Sequence, residues 1–133
     1  MSRALTVAPG ESELYKMSHA FFGGYYKRAG IVKPGVLIIG RKHRIANGFV
    51  LTRGKVVVWD EFNGVRILSA PYFEMTRPGT QRLGYVIEEI EGFNLLETEQ
   101  TTLAGVEAEM LYPESVLPAG LEEKLLQLQT HAK

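Results

Sequence analysis

The chain has 133 residues, no cysteine, and 15 lysines and arginines against 15 aspartates and glutamates, for a formal net charge of zero. That length suits a single core burying roughly two-thirds of the surface the unfolded chain exposes. The missing thiols exclude a disulfide framework, a thiolate metal site and a cysteine nucleophile, and permit folding in a reducing compartment. The neutral balance argues against nucleic acid as the main partner.

In chain order, the opening "MSRALTVAPGESELY" has no basic segment followed by an apolar run, and nowhere do about eighteen apolar residues follow one another, so neither a secretion signal nor a membrane span is read. Residues 11 to 27 place Leu14, Met17, Phe21, Phe22 and Tyr25 at helical spacing behind Ser12, a candidate N-cap, and Gly23-Gly24 interrupts them. The expectation is a short helix ending at the glycine pair, or an arm ordered against a neighbour, over 1–30. From Ile31 to about Leu111, short apolar runs broken at Pro34-Gly35, Asn47-Gly48, Arg53-Gly54, Asn63-Gly64, Pro78-Gly79 and Gly92 predict a β-sandwich or barrel over 31–112. The clearest local pattern is a hairpin, "KVVVWDEFNGVRILSAP", with Asn63-Gly64 suited to a type I′ turn. Trp59 is expected to fill the core or the space between sheets, and Asp60 and Glu61, adjacent on a strand end, to point to opposite faces. The tail over 113–133 repeats Leu121, Leu125 and Leu128 behind Pro118-Ala119-Gly120, which predicts a short amphipathic helix.

The charges are sorted along the chain. No acid stands between Glu13 and Asp60, where nine lysines and arginines fall, whereas from Leu83 onward ten glutamates face only Lys124 and Lys133. Such sorting fits a fold that interleaves the two halves and neutralises them across neighbouring strands. It also fits a basic face that meets another copy's acidic face.

Four segments, "VKPGVLIIGRKHRIANGFVLTRG", "TRPGTQRLGYV", "GFNLLETE" and "VEAEML", carry a family pattern. Together they resemble small phage-encoded cupin-like proteins, whose pattern runs close to I-P-A-G-T-x-x-x-G-K-x-H-K-x-x-H-x-N-x-L-x-x-G, then P-P-G-T-K-R-V-G-Y-A, then W-T-T-x-H near I-E-A-E. The resemblance implies an all-β, cupin-like jelly roll, two sheets facing each other around a central cavity, in a bacteriophage context.

Cupin enzymes hold a divalent metal with two or three histidines and a carboxylate. His43 keeps the first of those positions. The second is Asn47, a third is Arg82, and the later histidine position is Glu97. A guanidinium in a metal's place repels a metal, so no metal, no other cofactor and no catalytic residue is expected. His19 and His131 stand outside the pattern and read as solvent-facing or packing residues. No G-x-S-x-G elbow, P-loop or dinucleotide fingerprint is present.

The expected function is therefore a non-catalytic virion accessory, such as a capsid decoration or cement protein. It would assemble in the host cytoplasm and act through homo-oligomeric contacts or contacts with other virion proteins such as the major capsid protein, with neither nucleic acid nor membrane as partner. Phe21, Phe22, Tyr25 and Tyr26 are the expected assembly arm. The alternative is a cupin that binds a small molecule or carbohydrate in the infected host, with His43, Asn47, Arg82 and Glu97 as the polar groups of its pocket. A metal-dependent cupin enzyme stands behind both.

Overall fold

The structure is a computed structural model that describes residues 4–6, 13–112 and 118–132. In chain order the elements are β1 (Ala4–Thr6), β2 (Tyr15–Phe22), β3 (Tyr25–Val32), β4 (Leu37–Ile39), β5 (Asn47–Asp60), β6 (Gly64–Ser69), β7 (Tyr72–Thr76), β8 (Leu83–Glu97), α1 (Leu103–Met110) and α2 (Leu121–His131). Two long strands organise the molecule. β5 and β8 run antiparallel along nearly their whole length, from Gly48 opposite Leu95 to Trp59 opposite Leu83. The other edge of β8 carries β4 and β3, with β2 beyond β3, and the other edge of β5 carries β7 and then β6.

Alternation along these strands sets the interior. Leu51, Val56, Val58, Leu68, Val86 and Ile90 meet in one apolar cluster. The opposite face of β5 is buried too, because Val57, with Leu83 and Ile39, packs against Leu128 of α2. The three leucines that predict the C-terminal helix are the ones that dock it: Leu128 is fully buried, with Leu121 and Leu125 beside it. Trp59 belongs to this outer layer. It is half-buried under α2 with the Lys124 ammonium 4.9 Å from its ring centre, so it does not fill the space between sheets.

Three local expectations change. First, residues 15–32 form a hairpin and not a helix or a free arm, and the candidate N-cap Ser12 lies outside the described residues. Gly23 and Gly24 have φ values of 53° and 84°, the two positive angles a two-residue type I′ hairpin demands, so the pair that breaks a helix makes a turn. Tyr26 is then a core residue at 1% exposure and Phe21 packs beside it, whereas Phe22 and Tyr25 at the tip are exposed. Second, the β pattern expected up to Leu111 stops earlier. Leu103–Met110 is helical, capped by the Thr102 hydroxyl accepting from the Gly105 amide, and packs Val106 and Met110 against Tyr26 and Leu96. Third, Asp60 pairs with Gly64 across a three-residue loop, and Gly64 alone takes a positive φ of 67°, so the Asn63-Gly64 hairpin is real but its turn is not type I′. The buried Asp60 carboxylate closes that loop by accepting from the amides of Phe62 and Asn63, while Glu61 turns away to accept from the Gln81 amide.

The sorted charges meet within the chain. Lys33 and Arg53 both lie 2.6 Å from Glu89, Arg53 also reaches Glu91 at 3.5 Å, and Lys55 reaches Glu88 at 3.8 Å. These pairs join the basic half of the chain to its acidic half across both edges of β8, Lys33 beside the β3–β8 ladder and Arg53 and Lys55 across the β5–β8 ladder.

Candidate functional site

The interior of the barrel holds cavity space in two adjacent halves of about 140 Å³ each, and Arg28, Ile38, Phe49, Ile90 and Asn94 line both. One half is walled by Met17, Val32, Val36 and Leu51. The other, the polar half, carries Arg41, His43, Thr76, Thr80 and Arg82 on its wall, although most of its surface is apolar as well.

The sheet register puts these residues together. Phe49 of β5 stands opposite Asn94 of β8, and Asn94 stands opposite Arg28 of β3, so one cross-strand row carries an aromatic ring, an amide and a guanidinium into the cavity. Their neighbours Val50, Phe93 and Ala29 form the matching row on the other face. His43 lies in the β4–β5 connection and is fixed by its backbone: its amide donates to the Thr80 carbonyl at 2.9 Å, and its carbonyl accepts from the Gly79 amide at 2.8 Å.

A short amide relay orients its ring. Asn94 Nδ2 donates to Asn47 Oδ1 at 2.9 Å, and Asn47 Nδ2 donates to His43 Nδ1 at 2.8 Å. An Nδ1 that accepts leaves the ring proton on Nε2 and suits a neutral imidazole. The electrostatics agree. Burial first, and then the positive charges of Arg28, Arg82 and Arg41, push the His43 pKa from 6.5 down to about 4.

The sign of the resulting pH dependence follows. Above the unfolded value the native and unfolded states are both neutral at this residue and its contribution is fully present; as pH falls from about 6.5 toward about 4, the unfolded chain takes up a proton that the native state refuses. The expected loss across that window is about 3 kcal/mol of stability. Urea unfolding at pH 7 and pH 4.5 reads it, and His43→Gln should remove most of the slope. Asp60 and Glu74 add to the loss only at the low end of the window. Burial pushes both up, but the hydrogen bonds and guanidinium each receives outweigh it and lower both pKa values, so their contributions begin to fade as pH falls through the ordinary carboxylate range, where the unfolded chain takes up protons first.

The arginines differ in how they are compensated. Arg82 pairs with Glu74 at 3.2 Å and lies over the Phe49 ring at 4.8 Å, and Glu74 is also held by Arg66 at 3.0 Å and by the Tyr72 hydroxyl. Arg41 donates to the Tyr112 carbonyl at 2.8 Å. Both leave Nε without a partner, as the buried Thr76 leaves its hydroxyl. Arg28 makes no hydrogen bond or ion pair with any described residue, although burial works against its charge.

Of the four expected pocket residues, His43 and Arg82 line the cavity, and Asn47, at 1% exposure, lies behind His43 as its hydrogen-bond donor. Glu97 is a correction. It is exposed at the end of β8, opposite Tyr25, and lines neither half of the cavity, because its side chain falls on the outward phase of the strand. Sequence reasoning missed Arg28, Arg41 and Asn94. Arg28 and Asn94 come inward only through the β3–β8 register, which no short-range pattern displays. His19 stands on β2 with its Nδ1 2.6 Å from the Tyr26 hydroxyl.

No protein-family model matches the chain, and no curated protein matches it. Solved structures do. The architecture is the cupin jelly roll. The chain is similar to a cupin-like protein from Thermotoga maritima, with 15% identity, a TM-score of 0.61 and 90% of each chain covered. It is also similar to ectoine synthase from P. lautus, with 6% identity, a TM-score of 0.60 and 83% of each chain covered. A third match is the Cupin_2 domain of an XRE family transcriptional regulator from Enterobacter cloacae, with 11% identity, a TM-score of 0.54, and 66% of this chain and all of that one covered. At these identities the likeness concerns the fold.

The divalent metal that cupin enzymes carry does not fit the residues present. Among the described residues no three histidine, cysteine or acidic side chains come together, and the single imidazole of the cavity is ringed by guanidinium groups.

Proposed function

We propose that this chain is a binding protein that takes a small molecule into its barrel and does not transform it. The observation that carries this reading is the cavity itself. An apolar half is sized for a six-carbon body, since a cavity of about 150 Å³ accepts benzene, and it lies beside a half that offers donors but, among the described residues, no general base near neutrality and no metal-ligand set. His43, with a pKa of about 4 and its Nδ1 already occupied by Asn47, serves this site as a positioned neutral ring.

The test uses benzyl alcohol as a neutral probe of the apolar half, titrated into the full chain and followed by amide NMR shifts. Saturable shifts confined to the amides of Val36, Leu51 and Ile90 and their neighbours are expected. A titration without saturable shifts, with benzyl alcohol and with benzoate alike, removes the proposal.

A second reading keeps the virion accessory role implied by the phage-like motifs. The feature that favours it is the edge of the sheet. From Lys16 to Phe22 the outer side of β2 pairs with no other described strand, and the hairpin tip exposes Phe22 and Tyr25, so contact with a second copy or another virion protein has a place to form. Mass spectrometry of purified particles decides this role: copies in proportion to the shell protein support it, and absence from particles ends it.

A further inference from the structure

We infer that the ligand of the barrel is a small organic anion, a carboxylate on a short apolar body, and that Arg28 is the side chain that takes the carboxylate. The inference rests on the small-molecule reading of the same cavity and assigns its chemistry.

The argument is a count of charge inside the barrel. Three guanidinium groups, from Arg28, Arg41 and Arg82, line the polar half. Among the described residues, the one carboxylate within ion-pair distance of any of them is Glu74, which reaches Arg82 and is shared with Arg66 on its other side. Among the described residues the lining therefore holds more positive than negative charge: Arg28 and Arg41 both lack a carboxylate, and Arg28 lacks a hydrogen-bond partner as well. Arg28 has no hydrogen-bond or ion-pair partner among the described residues; burial and the Arg41 charge work against its own charge, while Tyr26 and Glu107 favour it from beyond ion-pair distance. Arg28 is half-buried and none of its nitrogens is among the buried atoms without a partner, so its donors stay accessible from the cavity and can meet an acceptor that a ligand brings. A carboxylate supplies that acceptor with two oxygens matched to the guanidinium fork.

Two further features set the rest of the ligand. Arg28 lines both halves of the cavity, so an anion held there projects whatever it carries past Ile38, Phe49 and Ile90 into the apolar half. Among the described residues, three of the four buried side-chain polar atoms without a partner, Arg41 Nε, Thr76 Oγ1 and Arg82 Nε, belong to residues of the polar half, so that wall has donor capacity still to be used. A bare inorganic anion would leave the apolar half empty, and a neutral molecule would leave Arg28 uncompensated.

The experiment compares benzoate, benzyl alcohol and inorganic phosphate on the full chain by calorimetry and amide NMR. Benzoate is expected to bind at least about tenfold tighter than benzyl alcohol, and phosphate more weakly than benzoate. Arg28→Met should lose the preference for benzoate over benzyl alcohol, while Arg28→Lys retains part of it. A merely structural arginine would not move a second readout: benzoate should raise the His43 pKa above its value of about 4, because a bound anion offsets the guanidinium charges that hold it down. Equal affinity for benzoate and benzyl alcohol would overturn the anion assignment and leave the binding reading standing. Unchanged benzoate affinity in Arg28→Met would overturn the role of Arg28, and phosphate binding as tight as benzoate would overturn the apolar body. If Arg28→Met does not fold, the Arg28→Lys series and the His43 titration of the unaltered chain decide the matter.

Discussion

Gly54→Ala is expected to cost about 4 kcal/mol or more, enough to threaten a domain whose whole stability is about 5 to 15 kcal/mol. Two costs coincide at this residue. Its φ of 92° is one that side chains other than glycine rarely adopt, and a Cβ there would lie 2.0 Å from the Glu89 carbonyl oxygen and 2.9 Å from the Ile90 Cα. Both of those neighbours are backbone, so neither rotates away. Gly54 sits where the β5–β8 register shifts between Arg53 and Lys55, the irregularity that bends the two longest strands around the cavity. The close approach of backbone to backbone is what the bend requires. Gly64→Ala is the matched control: its φ of 67° is also positive, but nothing lies within 4 Å of the added carbon, so only a strain of about 1 to 2 kcal/mol is expected. Urea unfolding of the two variants should separate them by several kcal/mol, and equal midpoints would show that β8 can yield at Glu89 and that the crossing is looser than its geometry.

Removing residues 1 to 28 is expected to abolish the cooperative fold altogether. An independent arm over residues 1–30 would have allowed the reverse, a folded β domain that merely loses its contacts. The structure makes the segment part of the sheet. The cut takes all of β2 and half of β3, strips the β8 edge from Asn94 to Glu97 of its partner, and deletes Tyr26, which is buried with Leu96, Val106, Met110 and Leu111. It would expose several large core side chains at once, each worth about 1.5 to 3 kcal/mol of burial. Circular dichroism with a thermal melt reads the result, and a truncated chain that melts cooperatively would show that β4, β5 and β8 close a core without the hairpin.

What the sequence determined by itself is local: elements whose pattern is long, and motifs whose spacing is short. The run Val56–Val57–Val58–Trp59 followed by Asn63-Gly64 could only be a hairpin, because β-branched strands and a turn glycine agree. Leu121, Leu125 and Leu128 announced a helix with one apolar stripe, and that stripe is what α2 buries. The segments resembling the phage-encoded cupin-like pattern located the jelly roll and brought His43, Asn47 and Arg82 to attention, and these three stand in or beside the cavity.

The tertiary structure decided everything that depends on which face of a strand turns inward and which strand lies next to which. Residues 14 to 25 satisfy a helical spacing and a strand alternation about equally well, and the sheet edge offered by β8 settled it in favour of strands. Trp59 and Val58 are neighbours in sequence, yet one lies under a helix and the other faces the cavity, because successive side chains leave a strand in opposite directions. Glu97 failed as a pocket residue for the same reason. Arg28 and Asn94, separated by 66 positions in the chain, become cavity neighbours solely through antiparallel register. A guanidinium left without a partner is invisible in a sequence whose charges sum to zero, since compensation is a matter of distance and burial, and only the closed barrel fixes those.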